Sequence, residues 1–409
     1  MIPILAWRNV WRSPTRSLVV ILAIALGIWA AMFMSGFATG MAQSYIDNSI
    51  SSLISHIQIH HPEFKEEEDV QYQLQDLQAI QEVLDGVEGA YYSFRTVSNG
   101  MIASSKSSRG IKIRGIEPGS EQSVNGIGDK MIEGDYFGKD RKNQLLISQR
   151  MAEKLGAKIR SRLVLTFQDE DREITAAAFR VVGIFDSKNN PFDDSHIFVQ
   201  QADLIRLLST QEPDPQHSFI HEVAILLPGA EQMEVLQKKL QEVAPEMLVE
   251  NYREIAPDVQ LYESMIGSMS LIYLVIIMLA LVFGIINTML MAVLERIKEL
   301  GMLMAIGMNK FKVFSMIVLE TILLSLIGAP LGMLLGGLTV ELIGKYGLNL
   351  SAFSSSLQMY GLSDVVYFSV APHVYGQVAI SVALTAIVAS IYPALKAIRL
   401  KPVEAIRKI

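Results

Sequence analysis

Few residues of this 409-residue chain are arranged for chemistry on a bound substrate. His56, His60 and His61 come nearest to a metal-binding group, but they lie in the run LISHIQIH, whose alternation is typical of a β-strand. In a strand His56 and His60 share a face yet stand too far apart to bind one zinc ion. No Ser, His and Asp set is marked by a motif, and the absence of cysteine excludes disulfides and thiolate metal sites. We therefore expect no metal site and no catalytic residues.

The sequence also lacks the means to bind ATP. The loop GxxxxGK[ST], whose backbone amides and lysine hold the phosphates, does not occur. We expect this chain to bind no cofactor, so any use of ATP and Mg²⁺ must come through a partner ATPase.

The most distinctive group of charges is ERIKELGMLMAIGMNKFKVFSMIVLE, residues 295–320. The segment is short and amphipathic, and it separates two long apolar runs. This placement predicts a cytoplasmic connection between two membrane helices. Position alone leaves two interpretations open: the segment transmits movement from a partner, or it is a basic interfacial loop.

Four runs without Asp, Glu, Lys or Arg define the class of protein: 17–46, 264–294, 321–340 and 365–395. A helix needs about 20 residues to cross about 30 Å of hydrocarbon, where backbone groups find no water to bond. We predict four transmembrane helices and interpret the first as an uncleaved anchor, because its apolar run is longer than that of a signal peptide. The predicted spans are residues 17–46, 264–294, 313–344 and 373–395.

Lys and Arg in the short flanks predict the orientation, because such flanks remain in the cytoplasm. All three basic flanks fall on one side if both termini are cytoplasmic, and residues 346–372 on the other side carry only Asp364. The chain is therefore expected to be a multi-pass protein of the bacterial inner membrane. The predicted extramembrane parts are a cytoplasmic amphipathic entry helix 1–16, a periplasmic domain 47–262, a cytoplasmic segment 295–312, a periplasmic loop 345–372 and a cytoplasmic tail 396–409.

The predicted periplasmic domain is acidic. Residues 45–262 hold 22 Lys and Arg against 35 Asp and Glu, a balance of −13, whereas the rest of the chain holds 13 against 7. The predicted periplasmic domain is thus acidic, and the membrane part of the chain is basic. An acidic domain of this kind argues against nucleic acid as a partner. Strand and helix periodicities both occur, which predicts an α+β domain, in one or two lobes, inserted between spans 1 and 2. Strands are predicted at 53–60, 96–103, 110–116, 162–167, 173–184, 195–199 and 220–227, and helices at 74–85, 148–155, 200–208 and 230–243.

Three patches resemble the permease subunits of the MacB and FtsX superfamily of ABC transporters, also called type VII. AWRNVWRSPTRSLVVILAIALG is similar to the family's basic entry helix, and YPALKAIRLKPVEAIR is similar to its closing segment. ERIKELGMLMAIGMNKFKVFSMIVLE is similar to its pattern E-R-x-x-E-[IL]-G-x-x-x-A-[IL]-G. The resemblance implies a permease with four transmembrane helices, one plus three, and a large extracytoplasmic α+β domain. It also implies a partner ABC ATPase and a dimer with a second copy or a paralogue.

Within the superfamily, KIRGIEPGSEQSV and LLISQRMAEKLGAKI look like the lipoprotein-releasing (Lol) permeases. This resemblance implies lipoprotein release from the inner membrane toward the outer membrane, with a periplasmic lipoprotein carrier as a further candidate partner. Alternatives within the superfamily are an efflux permease of the MacB kind and a regulator of a cell-wall hydrolase of the FtsX kind. The hairpin 162–184 departs from the Lol pattern, because its tip QDEDRE is short, acidic and without the proline of the carrier-recruiting hook.

The family's ATPase-coupling helix corresponds to the segment after span 2. In the family this helix docks in the ATPase and passes on the movement that ATP drives, without a channel for the substrate. The positions of this chain that match the family's pattern are Glu295, Arg296, Glu299, Gly301, Ala305, Gly307 and Lys310.

Span 3 contains two features that predict contacts with other helices, a glycine ridge and a carboxylate. Gly328, Gly332 and Gly336 form a small-xxx-small ridge, which favours close helix packing within one subunit or at a dimer seam. Glu320, at an end of span 3, is expected to have a structural partner on a neighbouring helix rather than to transfer protons.

For an acylated substrate, the resemblance implies an apolar cavity between spans 1 and 2 at the outer leaflet. Plain packing against membrane lipid is the alternative interpretation of the same side chains. The candidate residues are Phe33, Met34, Phe37, Met41, Tyr45, Met265, Met269 and Ile272.

Overall fold

The computed structural model describes residues 2–138, 142–209 and 219–399 of the chain. Two compact units are present. One contains Met1–Ala42, Ser264–Asn349 and Val365–Ile409, and the other contains Gln43–Glu263 and Leu350–Asp364. Residues 400–409, which include the end of the closing segment and most of the predicted tail 396–409, lie outside the described residues.

Four helices are long and apolar enough to cross a membrane, which confirms the predicted arrangement of one plus three. We call them spans 1 to 4. They are Pro14–Ser49, Pro257–Glu295 with Ser268–Glu295 as its apolar part, Lys310–Tyr346 and Pro372–Ile398. Span 3 continues through Pro330 as one helix.

Two shorter helices lie at one end of this bundle. The entry helix is Ile2–Arg12, and the connecting helix, between spans 2 and 3, is Ile297–Ala305. The entry helix ends before Pro14 because the proline ring disfavours helical geometry at Ser13, while Pro14 itself fits the first turn of span 1. The hydroxyl of Ser17 donates to the carbonyl of Val10 across this break.

The second unit is an α+β domain with a ten-stranded sheet among the residues described. Its strand order is β10-β1-β9-β2-β3-β8-β5-β7-β4, and β6 pairs with both β2 and β7. The strands are β1 Ile57–His60, β2 Tyr91–Ala103, β3 Ser108–Ile116, β4 Met131–Gly134, β5 Gln144–Ser148, β6 Arg162–Gln168, β7 Ile174–Phe185, β8 His196–Gln200, β9 Glu222–Leu226 and β10 Leu248–Asn251.

The long strand β2 joins two halves of this sheet. Its first residues, Tyr91–Arg95, pair with β9, and its later residues pair with β3 and β6. Separate apolar cores lie on either part: one around β1, β9 and β10, the other around β3 and β5 to β8. Helices cover these cores at Phe64–Glu67, Leu77–Asp85, Pro118–Asn125, Gln149–Leu155, Asn190–Asp193, Gln201–Leu208, Met233–Val243 and Tyr252–Ile255.

One predicted strand begins too early. Residues 53–56 were expected to extend β1, but Ile50–Ile54 form a π-helix that ends at Ser55, where φ is 60°. Since Ile54, Ile57 and Ile59 are all buried in one core, the alternating pattern arises partly from a helical turn and not only from a strand.

The segment between spans 3 and 4 has little regular structure. The two-residue strands β11 Leu348–Asn349 and β12 Val365–Val366 pair at its ends, and a short helix forms at Ser354–Met359. Within the second unit, Asn48 donates to the carbonyl of Gly361 at 2.9 Å, and the amide of Ser363 donates to the hydroxyl of Ser44 at 3.2 Å. These bonds hold the segment against residues 44–48.

Candidate functional site: the junction at the connecting helix

Arg296 stands between the end of span 2 and the start of the connecting helix, where the backbone leaves helical geometry. Its Nη1 donates to Glu320 of span 3 at 3.2 Å, and its Nη2 donates to the backbone carbonyl of Asn9 at 2.9 Å. The side chains of Arg296 and Glu320 are only 14% and 10% exposed. One guanidinium therefore joins the entry helix, the connecting helix and span 3, and it is the neighbouring-helix partner expected for Glu320.

Two more ion pairs surround this contact. Arg12 binds Glu299 through two bonds of 2.7 Å, Nη1 to Oε2 and Nη2 to Oε1, and Arg16 pairs with Glu295. Arg12 and Glu299 are 62% and 42% exposed, so solvent weakens their attraction. The Arg12–Glu299 pair fastens the end of the entry helix to the connecting helix, and the Arg16–Glu295 pair fastens the first turn of span 1 to the end of span 2.

The connecting helix has a buried face and an exposed apolar face. Ile297, Leu300 and Gly301 are buried, whereas Met302 and Ile306 are 53% and 79% exposed. Apolar side chains so exposed beside an ion-paired junction offer a surface for contact with another protein.

Gly307 ends this helix with φ of +102°, a backbone conformation that residues with a Cβ rarely adopt. The side chain of Asn309 then accepts a hydrogen bond from the amide of Phe311 at 3.1 Å and caps span 3. The chain thus turns sharply between the connecting helix and span 3.

The seven predicted coupling residues consequently divide into two groups. Glu295, Arg296 and Glu299 are paired within the chain, and Gly301 is buried. Ala305, Gly307 and Lys310 are exposed. A cavity of about 440 Å³ borders the connecting helix, and the exposed Met302 and Ile306 line it together with Arg12, Met316 and Glu320.

The glycine ridge of span 3 packs against span 1 of the same chain. A Cβ built on Gly332 would lie 2.7 Å from the carbonyl oxygen of Ala25 and 2.8 Å from Cβ of Ile28. Built on Gly328 it would lie 3.0 Å from the carbonyl oxygen of Ile21, and on Gly336 it would meet Met32. In this structure the ridge therefore makes close contacts within one subunit.

An apolar groove of about 520 Å³ lies between spans 1, 2 and 4. Exposed Leu271, Ile380 and Leu384 line it. Its polar atoms include the hydroxyls of Ser35 and Ser270, which are 3.1 Å apart.

The eight residues predicted for an acyl-chain cavity lie elsewhere, and none of them lines this groove. Phe33 and Phe37 pack edge to face on Phe368, with ring centroids 5.2 and 6.0 Å away. Met265, Met269 and Ile272 are exposed on span 2, and Met34 and Met41 are half-buried on span 1. Tyr45 belongs to the second unit, where its ring packs on Tyr262 at 4.4 Å. Depth along a helix was used for these predictions, but the direction of each side chain around the helix decides which surface it lines.

The second unit contains a buried charged cluster that sequence reasoning missed. Arg95, 1% exposed, binds Glu121 at 2.6 Å and Glu222 at 2.5 Å, and Arg114 lies 3.9 Å from Glu222. Burial opposes the charge of Glu222, but Arg114 and Arg95 outweigh it and hold the pKa of Glu222 well below its usual range. The cluster borders a polar pocket of about 290 Å³ that Lys65, Lys112 and His60 also line.

The three histidines weighed for zinc have different partners. His56 accepts from the amide of Leu227 at 3.1 Å, His60 bonds to Gln58 at 3.0 Å, and His61 stacks on Tyr72. Within the described residues, no three His, Asp or Glu side chains are grouped to hold a metal ion.

Comparison with known families agrees with this architecture. The MacB-like periplasmic core domain matches residues 17–243, more than half of the chain, and the FtsX-like permease C-terminal domain matches residues 271–402. The chain belongs to the MacB/FtsX superfamily of ABC-transporter permeases. It is thus a membrane permease component with the family's large extracytoplasmic domain.

Curated relatives share part of this permease. A macrolide export ATP-binding/permease protein MacB of Neisseria gonorrhoeae is 32% identical over 150 residues, 36% of this chain and 21% of that protein. A MacB protein of Rhodopirellula baltica is 25% identical over 224 residues, 51% of this chain and 29% of that protein. The chain thus spans only a fifth to a third of the length of these relatives.

Solved structures similar to the permease include two extracellular regions. The periplasmic region of MacB from Actinobacillus actinomycetemcomitans covers 53% of this chain and 97% of its own, with a TM-score of 0.35 and 11% identity. The extracellular domain of the transporter YknZ from Gram-positive bacteria covers 48% and 99%, with a TM-score of 0.33 and 15% identity.

Proposed function

We propose that this permease couples a separate ABC ATPase to its periplasmic domain through the connecting helix, and that it releases lipoproteins from the inner membrane. Permeases of this family work with ABC ATPase partners. In this chain the exposed Met302 and Ile306, beside the ion-paired junction, supply an adaptable apolar contact for that ATPase. Both termini and the connecting helix are then cytoplasmic, and ATP and Mg²⁺ bind to the partner.

One observation carries the choice of substrate: the groove between spans 1, 2 and 4 is apolar and lined by side chains that are exposed on the membrane helices. An acyl chain can enter such a groove sideways from lipid and be held there by apolar contact. The hydroxyls of Ser35 and Ser270 add polar groups that can bond to the linkage between an acyl chain and a protein. We propose this groove for the acyl chain instead of the cavity predicted from Phe33, Phe37 and their neighbours.

A second candidate is export of a small molecule with an outer-membrane duct, favoured by the MacB relatives. Those relatives are named as macrolide exporters, and the matching part of this chain is 32% identical to one of them. Efflux uses the same coupling at the connecting helix but needs no acyl-chain groove in the spans.

Carrier recruitment by this chain receives little support from the hairpin β6–β7. Its tip is folded back: the carboxylate of Asp169, 5% exposed, accepts from the amide of Glu173 at 2.9 Å, and Arg172 pairs with Asp69 at 3.0 Å. A tip held in this way does not project as a hook. We propose that a paralogous permease in a heterodimer, or another surface of this chain, receives the carrier.

The deciding experiment is to deplete this chain, separate inner and outer membranes, and measure where acylated proteins reside. Accumulation in the inner membrane would support lipoprotein release. An unchanged distribution together with higher sensitivity to macrolides would favour efflux instead.

A groove-filling variant sharpens the same test. Leu384→Trp should fill the groove and block release while the ATPase still copurifies. Leu335→Trp, at an exposed position of span 3 outside the groove, is the matched control and should release normally. Equal release from the two variants would refute the groove as the acyl-chain site.

A further inference from the structure

The three arginine–glutamate pairs connect parts of the chain that the backbone does not connect directly. Spans 2 and 3 continue from the connecting helix through Arg296 and through residues 306–309. Span 1 precedes them by more than 200 residues, so movement of the connecting helix can reach it only across non-covalent contacts.

Spans 1 and 3 pack directly on each other along the glycine ridge, and a second set of contacts runs through the entry helix. Ala6 and Val10 are fully buried in the same core as Leu300 and Met316. Arg296 binds the carbonyl of Asn9, which fixes the backbone of the entry helix as well as its side chains.

The last link is at the break between the entry helix and span 1. Ser17 donates to the carbonyl of Val10 across Pro14, and Arg16 in the first turn of span 1 pairs with Glu295. The entry helix is therefore bonded both to the connecting helix and to span 1. A displacement of the connecting helix can thus reach span 1 through a continuous series of contacts.

We propose that the entry helix moves with the connecting helix as one rigid unit and carries the ATP-driven displacement to the base of span 1. Arg12, Arg16 and Arg296 are the positioning residues of this unit. The inference rests on the proposed coupling to an ATPase, but it assigns the path within the permease and gives the entry helix a role beyond anchoring at the membrane surface.

The absence of cysteine allows spin labels to be placed without altering the chain elsewhere. Ile4, 64% exposed, reports on the entry helix, and exposed Lys298 reports on the connecting helix. Leu18, 55% exposed, reports on the base of span 1, and exposed Lys396 on span 4. Distances between labelled pairs would be measured by double electron–electron resonance. The sample is the full-length chain with its copurifying ATPase in lipid nanodiscs, without nucleotide and after trapping with ATP and vanadate.

We expect the 4–298 distance to be the same in both states, while the 298–396 and 18–396 distances both change. A nucleotide-dependent change in the 4–298 distance as large as that in 298–396 would overturn the rigid unit and leave coupling intact. No change in any of the three distances would instead refute the proposed coupling function.

Charge reversal separates transmission from folding. In Arg12→Glu/Arg16→Glu, the 298–396 change should persist while the 18–396 change is lost, and the addition of Glu299→Arg and Glu295→Arg should restore it. Arg8→Glu, an exposed charge on the entry helix, is the matched control and should leave both changes intact. Persistence of the 18–396 change in the Arg12→Glu/Arg16→Glu variant would overturn the assigned path, as would loss of ATPase copurification, which would make the entry helix a docking surface.

Discussion

Arginine–glutamate pairs occur in both units of the molecule, but their surroundings differ. In the sheet domain Arg95 and Glu121 are 1% and 0% exposed, and Glu222 is 6% exposed. At the connecting helix, the Arg12–Glu299 pair is largely in solvent, and Arg296–Glu320 is of intermediate burial.

This difference has physical consequences. A buried charge that loses its partner has no solvent to replace it, so the sheet cluster fixes one arrangement of β2, β9 and the helix Pro118–Asn125. An exposed pair can separate at small cost, because water solvates both ions. The sheet cluster is therefore suited to a rigid domain. The pairs at the connecting helix differ in burial, and the exposed one can break and form again when the junction moves.

The largest expected effect comes from breaking the buried cluster. Arg95→Ala leaves the buried Glu121 without its cationic partner and leaves Glu222 with Arg114 alone, so it should lower the free energy of unfolding of the sheet domain by about 3–5 kcal/mol. Hydrogen exchange of β2 and β9 in the full-length protein in detergent would measure it. Arg172→Ala, which breaks an exposed pair with Asp69, is the control and should cost less than about 1 kcal/mol. Similar losses in the two variants would remove the distinction drawn between buried and exposed pairs.

The next effect is the response of the sheet domain to pH. His221 is neutral in the fold: its Nδ1 accepts from the amide of Val97 at 3.1 Å and its Nε2 donates to the carbonyl of Val70 at 2.9 Å. Burial lowers the pKa of His221 to about 4, against about 6.5 in an unfolded chain. The unfolded chain binds the proton first, so His221 should cost stability as the pH falls from about 6.5 to 4, by about 3 kcal/mol in total.

Comparison with a variant is needed to measure this contribution. Asp193, whose pKa burial raises to about 7, titrates in the same window with the opposite sign. The difference in unfolding free energy between the parent and His221→Asn should therefore shrink as the pH falls to 4. The partly exposed His61→Asn is the control, and a difference that is constant with pH would contradict the assignment to His221.

The sequence predicted those features that depend on local composition. Uncharged runs marked the four spans, and alternating or β-branched runs marked β3, β6, β7, β8 and β9. The missed strand β5, QLLIS, is buried at all five positions, so it shows no alternation to recognise. β10 and β4 are four residues long and gave equally little signal.

The site depended on contacts that sequence spacing does not encode. Arg296 was identified from a family pattern as a coupling residue, but its bond to Asn9 joins residues 287 positions apart. The partners Arg12 and Arg16 were counted only as flanking positive charges. A short-range signal did exist in the sequence: Arg12 and Arg16 are four residues apart, as are Glu295 and Glu299, so the basic and the acidic set have the same spacing.

A smaller effect tests whether close packing in the spans is as rigid as the sheet cluster. Gly332→Ala places a Cβ 2.7 Å from the carbonyl oxygen of Ala25 and should separate spans 1 and 3, at a cost of about 1–3 kcal/mol. Gly337→Ala on the same helix, where the nearest atom is 3.7 Å away, is the control and should have little effect. Thermal unfolding in detergent measures both, and equal midpoints would show that the two helices can move apart freely.

The smallest expected effect on stability is at the exposed pair itself. Arg12→Ala removes two hydrogen bonds to Glu299 but leaves that carboxylate in contact with water, so the free energy of unfolding should fall by less than about 1 kcal/mol. Arg296→Ala should cost more, because Glu320 is buried and the carbonyl of Asn9 also loses its donor. Thermal unfolding of both variants at low and high salt separates the cases, since screening should erase the effect of Arg12→Ala but not that of Arg296→Ala. If both variants respond equally to salt, the two pairs of the junction are equally accessible to solvent. The difference in burial between them would then have no effect on the free energy of unfolding.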